Sequence, residues 1–255
     1  MRWIQNNGLD YLQFPSLAGL PGFFHGVFPR TASNTGGRRG SFNIGLNCGD
    51  PESVVKQNRE RMLKCFGRPL GIFARQVHGS EVGVVSTSAV SSGQGLIRVN
   101  GDALATARRD NALVIQVADC QPVLIADPIQ KVAANVHSGW RGSIDNIIGR
   151  TIHTLEARLG CRPQNMVAAI GPSLGPCCAE FVNYREEIPP RYWKYRRSGD
   201  LFDFWRLSID QLIEAGVPPA AISVAGICTR CNQHLFFSYR GQKNTGRFAA
   251  VIGIK

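Results

Sequence analysis

The chain has 255 residues, of which 44% are hydrophobic, enough to bury the core of one large domain or two small packed ones. No stretch approaches the roughly 18 consecutive apolar residues of a membrane-spanning helix, and residues 1–14 lack the apolar segment of a signal peptide. We therefore expect a cytoplasmic protein without a membrane partner. The net charge of +11 would suit nucleic acid, but the basic residues are scattered, which disfavours that partner. An anionic small substrate such as phosphate accounts for part of the charge equally well.

In chain order, the first predicted elements are a Gly-rich loop over 34–50 and a helix over 51–66, with Pro51 in its first turn and Asp50 as its N-cap. Hydrophobic patterning then predicts five strands, over 71–77, 81–86, 112–118, 123–126 and 132–137. The third of these is almost continuously apolar, which is typical of a strand buried on both faces.

A second helix is predicted over 143–159, where apolar side chains recur on one stripe and Gly160 ends the run. A strand over 167–170, a helix over 204–215 and strands over 221–227 and 247–254 complete the pattern. Because strands and helices interleave without the regular alternation of a doubly wound fold, we predict an α+β (mixed α/β) layered sandwich.

The five histidines are few enough to be considered one by one. His153 lies on the predicted helix opposite the apolar stripe, so it should face water. His25 and His234 are flanked by apolar or aromatic residues, and we interpret both as structural. The remaining two, His78 and His137, stand where a strand pattern gives way to glycine, a position at which side chains line clefts.

Cys120 occupies the same kind of position as these two histidines, because its strand ends just before a Gln-Pro break. Two imidazoles and one thiolate suit zinc, and also copper. Three protein ligands leave the fourth tetrahedral position open, as in a catalytic metal site. The spacing matches no zinc-finger formula. The prediction of a shared metal site at His78, Cys120 and His137 therefore rests on residue type and strand-end position.

The strongest rival metal site is Cys228-x-x-Cys231, together with the adjacent pair Cys177-Cys178. A structural zinc usually takes two separated cysteine pairs, and adjacent cysteines cannot easily both point at one ion. We therefore predict that Cys228 and Cys231 are buried free thiols rather than ligands.

Several ordered motifs resemble the YfiH-like family, also called the laccase-domain or multicopper polyphenol oxidase family. They are RQVHGSEV (75–82), GDALAT (101–106), VADCQPVLIADP (117–128), NVHSGWRG (135–142), AAIGPSLGPCCAEF (168–181), CTRCNQHLFFSYR (228–240) and TGRFAAVIG (245–253). The resemblance covers nearly the whole chain. It implies one catalytic domain over residues 1–255, with an α/β/β/α layered fold of the YfiH/CNF-like kind.

The resemblance also implies a metal site at the His of QVHG, the Cys of ADC and the first His of HxGWRG. These are His78, Cys120 and His137, which it makes catalytic residues as well as ligands. The family usually has Ala where this chain has Ser138 and Thr where it has Val117. Neither change removes a ligand.

Three activities are attached to the family. The laccase activity conflicts with the histidine count, because five imidazoles cannot build a trinuclear copper cluster beside a blue-copper site. Any polyphenol oxidase activity would come from a single copper displacing zinc. An amidase that edits peptidoglycan precursors would use Cys120 as nucleophile and His137 as its base.

The third activity, in purine nucleoside enzymes, is phosphorolysis of adenosine, inosine and methylthioadenosine, with deamination of adenosine. Arg75, Arg141 and Arg247 lie in motif segments and could bind phosphate, and Asn43 could orient the nucleoside. We predict this zinc-dependent phosphorylase, as a monomer or weak homodimer. A basic binding protein without catalysis is the alternative of another class, and it would have no metal and a salt-dependent affinity for RNA.

Overall fold

We describe the fold from a computed structural model of the protein, which describes residues 1–32, 42–67, 70–85 and 96–255. The loop predicted over 34–50 lies partly outside these residues, and its described part, 42–50, contains neither helix nor strand. Among the described residues, no helix is long and apolar enough to cross a bilayer.

The described strands and helices follow one another in the order given next. The strands are β1 (Arg2–Asn6), β2 (Leu9–Gln13), β3 (Phe23–Phe28), β4 (Leu70–Arg75), β5 (Val82–Val84), β6 (Leu96–Asn100), β7 (Ala103–Thr106), β8 (Asn111–Val117), β9 (Gln121–Asp127), β10 (Val132–Ser138), β11 (Val167–Ile170), β12 (Ile222–Val224) and β13 (Phe248–Ile254). The helices are α1 (Pro15–Ala18), α2 (Glu52–Lys64), α3 (Trp140–Ile144), α4 (Ile147–Leu159), α5 (Tyr184–Glu187) and α6 (Phe204–Glu214).

The strands form two mixed sheets. The first has the order β1-β2-β3-β13-β8-β4-β6, and the second has the order β12-β11-β9-β10-β7-β5. Parallel pairing joins β4 to β6 and β8, β5 to β7, and β11 to β12, while the other pairs are antiparallel. All five strands predicted between residues 71 and 137 are present, with ends that differ by up to two residues.

The layers follow from where the apolar side chains are buried. Leu113 and Ile252 of the first sheet share a core with Leu124 and Ala133 of the second, so the two sheets pack face to face. Met62 and Leu63 of α2 cover the outer face of the first sheet, and α4 and α6 cover the outer face of the second. The predicted α/β/β/α arrangement is confirmed.

One buried amide ties the two sheets together. The Asn135 side chain on β10 donates to the carbonyl oxygens of Leu113 on β8 and Ala250 on β13, both at 2.9 Å. Side chains two residues apart share a face of a strand, so His137 also points toward the first sheet. The Asn135 bonds therefore fix the face of β10 that carries this histidine.

Two helix starts differ from the prediction. Helix α2 begins at Glu52 with Pro51 at the N-cap and no side-chain cap, because the Asp50 carboxylate instead accepts a hydrogen bond from Asn43 Nδ2 at 2.9 Å. The helix predicted over 143–159 is broken at Asn146, which adopts left-handed backbone (φ 54°) and caps α4 by accepting from the Gly149 N–H at 3.0 Å. Gly160 ends α4 as predicted.

This double role of Asn146 gives a test of the fold. Asn146→Ala loses the cap, and alanine tolerates left-handed backbone less well than asparagine does. The variant should therefore lower the free energy of unfolding by about 1–2 kcal/mol. Asn146→Asp retains both properties and should stay within about 0.5 kcal/mol of the parent. Urea unfolding measures both. Equal destabilisation by Ala and Asp would show that the cap does not hold this junction.

Candidate metal centre and cavity

The structure brings the three predicted ligands together. One ligand atom from each of His78, Cys120 and His137 lies within 4.8 Å of the other two. His78 follows β4 of the first sheet, Cys120 lies in the turn between β8 and β9, and His137 is near the end of β10 in the second sheet. The group therefore sits where ends of the two facing sheets meet.

The centre is tightly packed. The imidazole rings of His78 and His137 meet edge to face, with centroids 4.9 Å apart. A Cβ at Gly139 would lie 2.9 Å from His78 Cδ2 and 3.3 Å from Cys120 Sγ, so only glycine fits between the ligands. Gly139, two residues after His137 in NVHSGWRG, is thus required by close approach.

Asp102 is the residue that sequence reasoning missed. It is fully buried, and its Oδ1 accepts from His137 Nδ1 at 2.7 Å and from the His78 N–H at 2.9 Å. Its Oδ2 accepts from the N–H groups of Gly79 at 2.8 Å and Val77 at 3.2 Å. One carboxylate therefore orients the His137 ring and fixes the backbone at His78, and it leaves Nε2 of His137 free to bind a metal.

These contacts determine how Asp102 ionises. Burial by itself raises the pKa of a carboxyl group, but here the hydrogen bonds from His137 and from the backbone of Gly79 and Val77 outweigh it. The pKa of Asp102 is held below its ordinary value, so the side chain is a carboxylate at neutral pH. The GDALAT motif could have indicated this role. An aspartate between a glycine and a buried strand is buried at a high cost in free energy unless it accepts hydrogen bonds.

Cys120 and His137 form a charged pair. Burial opposes ionisation of both groups, yet the attraction between them lowers the pKa of Cys120 to about 6 and raises the pKa of His137 to about 9. Hydrogen bonds from both histidines to Cys120, and from His137 to Asp102, act in the same direction. The ligand set thus favours the thiolate, which is the form that binds metals.

A cavity of about 720 Å³ opens onto the three ligands, a size suited to a small-molecule ligand. Four arginines line it: Arg75, Arg141, Arg240 and Arg247. Aromatic rings form another part of the wall: Trp140, Phe181, Phe204 and Tyr239. Cationic and aromatic surfaces therefore face one space beside the candidate metal centre.

The three predicted arginines differ in how far their guanidinium groups are already used. Within the described part of the chain, the exposed Arg75 side chain has no hydrogen-bond or ion-pair partner, and Arg141 only stacks on Trp140, 4.4 Å from the ring centroid. Arg247 Nη1 donates to the carbonyl oxygens of Thr245 at 3.0 Å and Gly246 at 2.9 Å. Arg75 and Arg141 thus keep more donors available for an anion.

Arg240 lines the cavity but was not predicted. Its backbone N–H donates to Asp119 Oδ2 at 2.6 Å, and its Nη1 donates to the Glu180 carbonyl at 2.7 Å. Its guanidinium carbon lies 5.2 Å from the centroid of the Phe181 ring. No pattern in the sequence distinguishes it from other surface arginines, because its position depends on contacts made between distant loops.

Asn43 lies behind the cavity wall rather than in it. The buried side chain accepts from the N–H groups of Gly45 at 2.9 Å and Arg247 at 2.8 Å, and it donates to Asp50. Since Gly45 and Arg247 themselves line the cavity, Asn43 acts on the wall as a support. The orientation of a nucleoside predicted for Asn43 would therefore act through Gly45 and Arg247.

The other histidines are outside the centre. His25 is buried, and its Nε2 accepts a hydrogen bond from the Phe14 N–H at 2.8 Å. Burial and, to a smaller extent, the charge of Arg2 lower the pKa of His25 to about 4. It is therefore a neutral structural histidine, as predicted. His153 is exposed on α4, also as predicted. His234 is exposed in a turn and belongs to neither group of candidate metal ligands among the described residues.

The prediction that Cys228 and Cys231 are both buried was wrong. Cys228 is buried, but Cys231 is exposed, and both lie close to Cys177 and Cys178. The four thiols form a second group of metal-ligand type, separate from the first.

Comparison with known proteins identifies the family. The profile of the family described as multi-copper polyphenol oxidoreductase laccase matches residues 24–255, and the chain belongs to this family. A Geobacillus stearothermophilus protein named purine nucleoside phosphorylase YlmD is 33% identical over 92% of each chain. A Deinococcus radiodurans protein named purine nucleoside phosphorylase is 33% identical over 97% of this chain and 94% of its own.

Solved structures agree with the fold. The crystal structure of YlmD from Geobacillus stearothermophilus superposes with a TM-score of 0.84 at 29% identity, covering 99% of this chain and 98% of that one. The Bacillus licheniformis protein YfiH superposes with a TM-score of 0.82 at 26% identity, covering 91% and 93% of the two chains. The family resemblance seen in the motifs is thereby confirmed.

The role of Asp102 can be tested against a matched aspartate. Asp102→Asn removes the negative charge, and whichever way the amide turns, its NH₂ group faces two N–H donors, so affinity for Zn²⁺ should fall roughly 10- to 100-fold. Asp127 is also fully buried and accepts three backbone N–H bonds, but it lies at the other end of β9. Asp127→Asn should cost stability without changing the metal affinity. Competition with a chromophoric chelator measures both, and equal affinities in the two variants would remove Asp102 from the centre.

The charged pair predicts an unusual pH profile of alkylation in protein stripped of metal by a chelator. Iodoacetamide should label Cys120 with a midpoint near pH 6, and the rate should fall below that pH as the thiolate is protonated. Cys177 is more exposed, but burial of its sulfur and its thiol neighbours raise its pKa to about 11, so at pH 7 it should react more slowly. Peptide mass spectrometry reads both sites. A Cys120 midpoint at the ordinary thiol value of about 8.5 would contradict the pairing.

Proposed function

We propose that the protein is a zinc-dependent purine nucleoside phosphorylase acting on adenosine, inosine and methylthioadenosine, with adenosine deaminase activity in the same cavity. The observation that carries the proposal is the convergence of guanidinium groups, aromatic rings and a three-ligand metal centre on one space of about 720 Å³. Relatives that match nearly the whole chain bear the name purine nucleoside phosphorylase, which supports the same choice.

The arginines supply the phosphate site. A guanidinium presents two parallel N–H donors that match two phosphate oxygens, and Arg75 and Arg141 have such donors uncommitted. Arg247 contributes charge from a guanidinium partly held by its own backbone. Phosphate bound among them would be positioned to form the new bond to the sugar carbon as the bond to the purine nitrogen breaks.

The aromatic wall supplies the purine site. Tyr239 is 50% exposed, which is unusual for a ring beside a buried centre, and it lines the cavity together with Phe181 and Trp140. Flat rings such as these offer stacking surfaces of the shape of a purine base. The departing base also needs a proton on its ring nitrogen, which the protonated form of phosphate or water in the cavity can supply, because His137 is used by the metal and by Asp102.

The ligand residues fit zinc. Two imidazoles and a thiolate are held within reach of one ion, and Asp102 supplies the outer hydrogen bond that metal-bound histidines usually make. When bound with an open position, zinc acts as a Lewis acid and lowers the pKa of a coordinated water to about 7. Copper would occupy the same residues in vitro, since it binds such sites more tightly.

Deamination would use the same cavity with water in place of phosphate. Water adds at the ring carbon that carries the amino group, and ammonia leaves with the proton it needs. This reaction has no use for the phosphate-binding arginines. The two activities should therefore depend equally on the metal ligands and unequally on the guanidinium groups.

The oxidase activity suggested by the family description finds little support in the ligands. Among the described residues, the two groups able to hold a metal contain only two histidines between them. A multi-copper cluster built on imidazoles would need more.

A cysteine amidase is the second candidate, favoured by the charged Cys120–His137 pair, which resembles an activated nucleophile with its base. A thiolate committed to zinc cannot attack freely. Metal dependence therefore separates the two candidates.

The first test of the function removes one metal ligand. His78 is exposed and has left-handed backbone (φ 62°), so Asn, which tolerates that conformation, is the replacement that disturbs the fold least. His78→Asn should lose the metal and both purine activities, whereas His153→Asn, at an exposed histidine on α4, should lose neither. Chromatography detects free base, ribose 1-phosphate and inosine.

Two results would sink the proposal. One is metal-loaded protein that leaves all three nucleosides intact in phosphate buffer. The other is chelated protein that hydrolyses an aminoacyl amide of a muramyl precursor, which would transfer the role of nucleophile to Cys120.

The second test separates the arginines. Arg75→Gln and Arg141→Gln should each raise the KM for phosphate by roughly 10-fold, as expected for loss of about 1.5 kcal/mol of charge-assisted hydrogen bonding, and should leave deamination nearly unchanged. Arg247→Gln should also reduce phosphorolysis more than deamination. Arg158→Gln removes the same charge from the exposed face of α4 and serves as the control. Equal losses in both reactions would reassign an arginine to purine binding or to folding.

A further inference from the structure

The cysteine quartet, Cys177, Cys178, Cys228 and Cys231, has no role in the function proposed above. Cys231 Sγ lies 3.6 Å from Cys177 Sγ and 3.5 Å from Cys178 Sγ. The four sulfurs are all within 4.8 Å of one another. The adjacent cysteines thus do point at one place, contrary to the expectation from their spacing.

The distances between the sulfurs favour a shared ion. A tetrahedral site with Zn–S bonds of about 2.3 Å has ligand sulfurs about 3.8 Å apart along each edge. A disulfide would bring two sulfurs to about 2.05 Å and leave the other two apart from them. Buried thiols packed as small hydrophobes do not describe the quartet either, because Cys177 and Cys231 are exposed.

The backbone around the quartet is fixed from both sides. Thr229 N–H donates to the Ser173 carbonyl at 3.0 Å, and Ser173 N–H donates to the Ile227 carbonyl at 3.2 Å, so the two cysteine segments are joined as a short bridge. Gly175 N–H donates to Cys228 Sγ at 3.3 Å. Such N–H···S bonds stabilise a metal-bound thiolate from outside the ligand set.

The turn that carries the adjacent pair is also sterically determined. A Cβ at Gly175 would lie 2.9 Å from the Trp205 ring and 3.0 Å from Cys228 Cβ. Cys178 N–H then donates to the Gly175 carbonyl at 2.9 Å, which closes the turn and brings both Cys177 and Cys178 toward Cys231. Two independent segments therefore converge on one point.

We propose that Cys177, Cys178, Cys228 and Cys231 hold a single structural Zn²⁺, distinct from the metal at His78, Cys120 and His137. Four protein ligands leave no open position, so this ion has a structural role. A single ion agrees with the compact quartet better than an iron–sulfur cluster, whose additional irons and sulfides lie between the thiolates and spread them apart. The inference rests on the quartet's own geometry and not on the proposed purine chemistry.

The ion would fix one wall of the cavity. Thr229 Oγ1, within the Cys228–Cys231 turn, donates to Asp119 Oδ1 at 2.6 Å, and Leu174 N–H donates to the Asp119 carbonyl at 2.8 Å. Asp119 has left-handed backbone (φ 87°) and directly precedes Cys120. The quartet is therefore joined by two hydrogen bonds to the turn that presents the thiolate of the first centre.

The experiment counts zinc by elemental analysis in protein purified without added metal. His78→Asn removes the first centre and should keep about one equivalent per chain, in the quartet. Adding Cys231→Ser, at an exposed position where no core packing is lost, should remove that equivalent. Adding Cys48→Ser instead, at a half-buried cysteine outside the quartet, should retain it.

A second readout does not depend on how metal was acquired during expression. Co²⁺ loaded into the His78→Asn protein should give the intense visible and sulfur charge-transfer bands of a tetrahedral four-thiolate site, and Cys177→Ser should abolish them. Absence of zinc and of these bands from folded His78→Asn protein would overturn the proposal, as would a mass lower than that of the free thiols by the hydrogens lost in disulfide formation. If the purine proposal alone fails, the quartet's equivalent of zinc remains.

Discussion

The carboxylate of Asp102 is the group on which the rest of the site depends. It is fully buried, and it stays charged because three backbone N–H groups and one imidazole donate to it. Those donors come from the turn after β4 in one sheet and from β10 in the other. A single buried charge therefore joins the ends of the two sheets where His78, Cys120 and His137 meet. Without this charge, the hydrogen bonds through which Asp102 joins His78 to His137 would be lost.

The remaining parts of the site are held by contacts of the same kind, each from outside the cavity. Asn135 fixes the face of β10, Asn43 supports the loop that carries Gly45 and Arg247, and Asp119 receives donors from the segment of the cysteine quartet. Arg75, Arg141 and Tyr239, which line the cavity, by contrast have donors or a ring face to spare. This separation explains how exposed side chains such as Arg75 and Tyr239 can belong to a defined site.

Much of this arrangement could be predicted from the sequence. Strands buried on both faces, such as β8, have an unmistakable apolar run, and residues that bind metals are of so few types that His78, Cys120 and His137 could be selected by their strand-end positions. Asp102 and Arg240 could not, because their roles depend on which distant backbone groups meet them. The same limit explains Asn43 and Cys231. A residue's type suggests a ligand or a buried thiol, but tertiary contacts decide whether its side chain faces the cavity, supports it, or lies exposed.

The short strands β1, β2, β6 and β7 were missed, since four or five residues carry too little periodicity to predict a strand.

The central claim is that the metal held by His78, Cys120 and His137 is required for purine chemistry in the adjoining cavity. The most direct measurement removes the metals with a chelator, returns zinc in steps to the parent protein and to His78→Asn, and follows inosine phosphorolysis at each addition. The account predicts activity that returns in the parent and saturates within about two equivalents of zinc per chain, one for each centre, and that stays absent from His78→Asn at every addition. Full phosphorolysis before any zinc is added, or a rise that never reaches saturation, would contradict it.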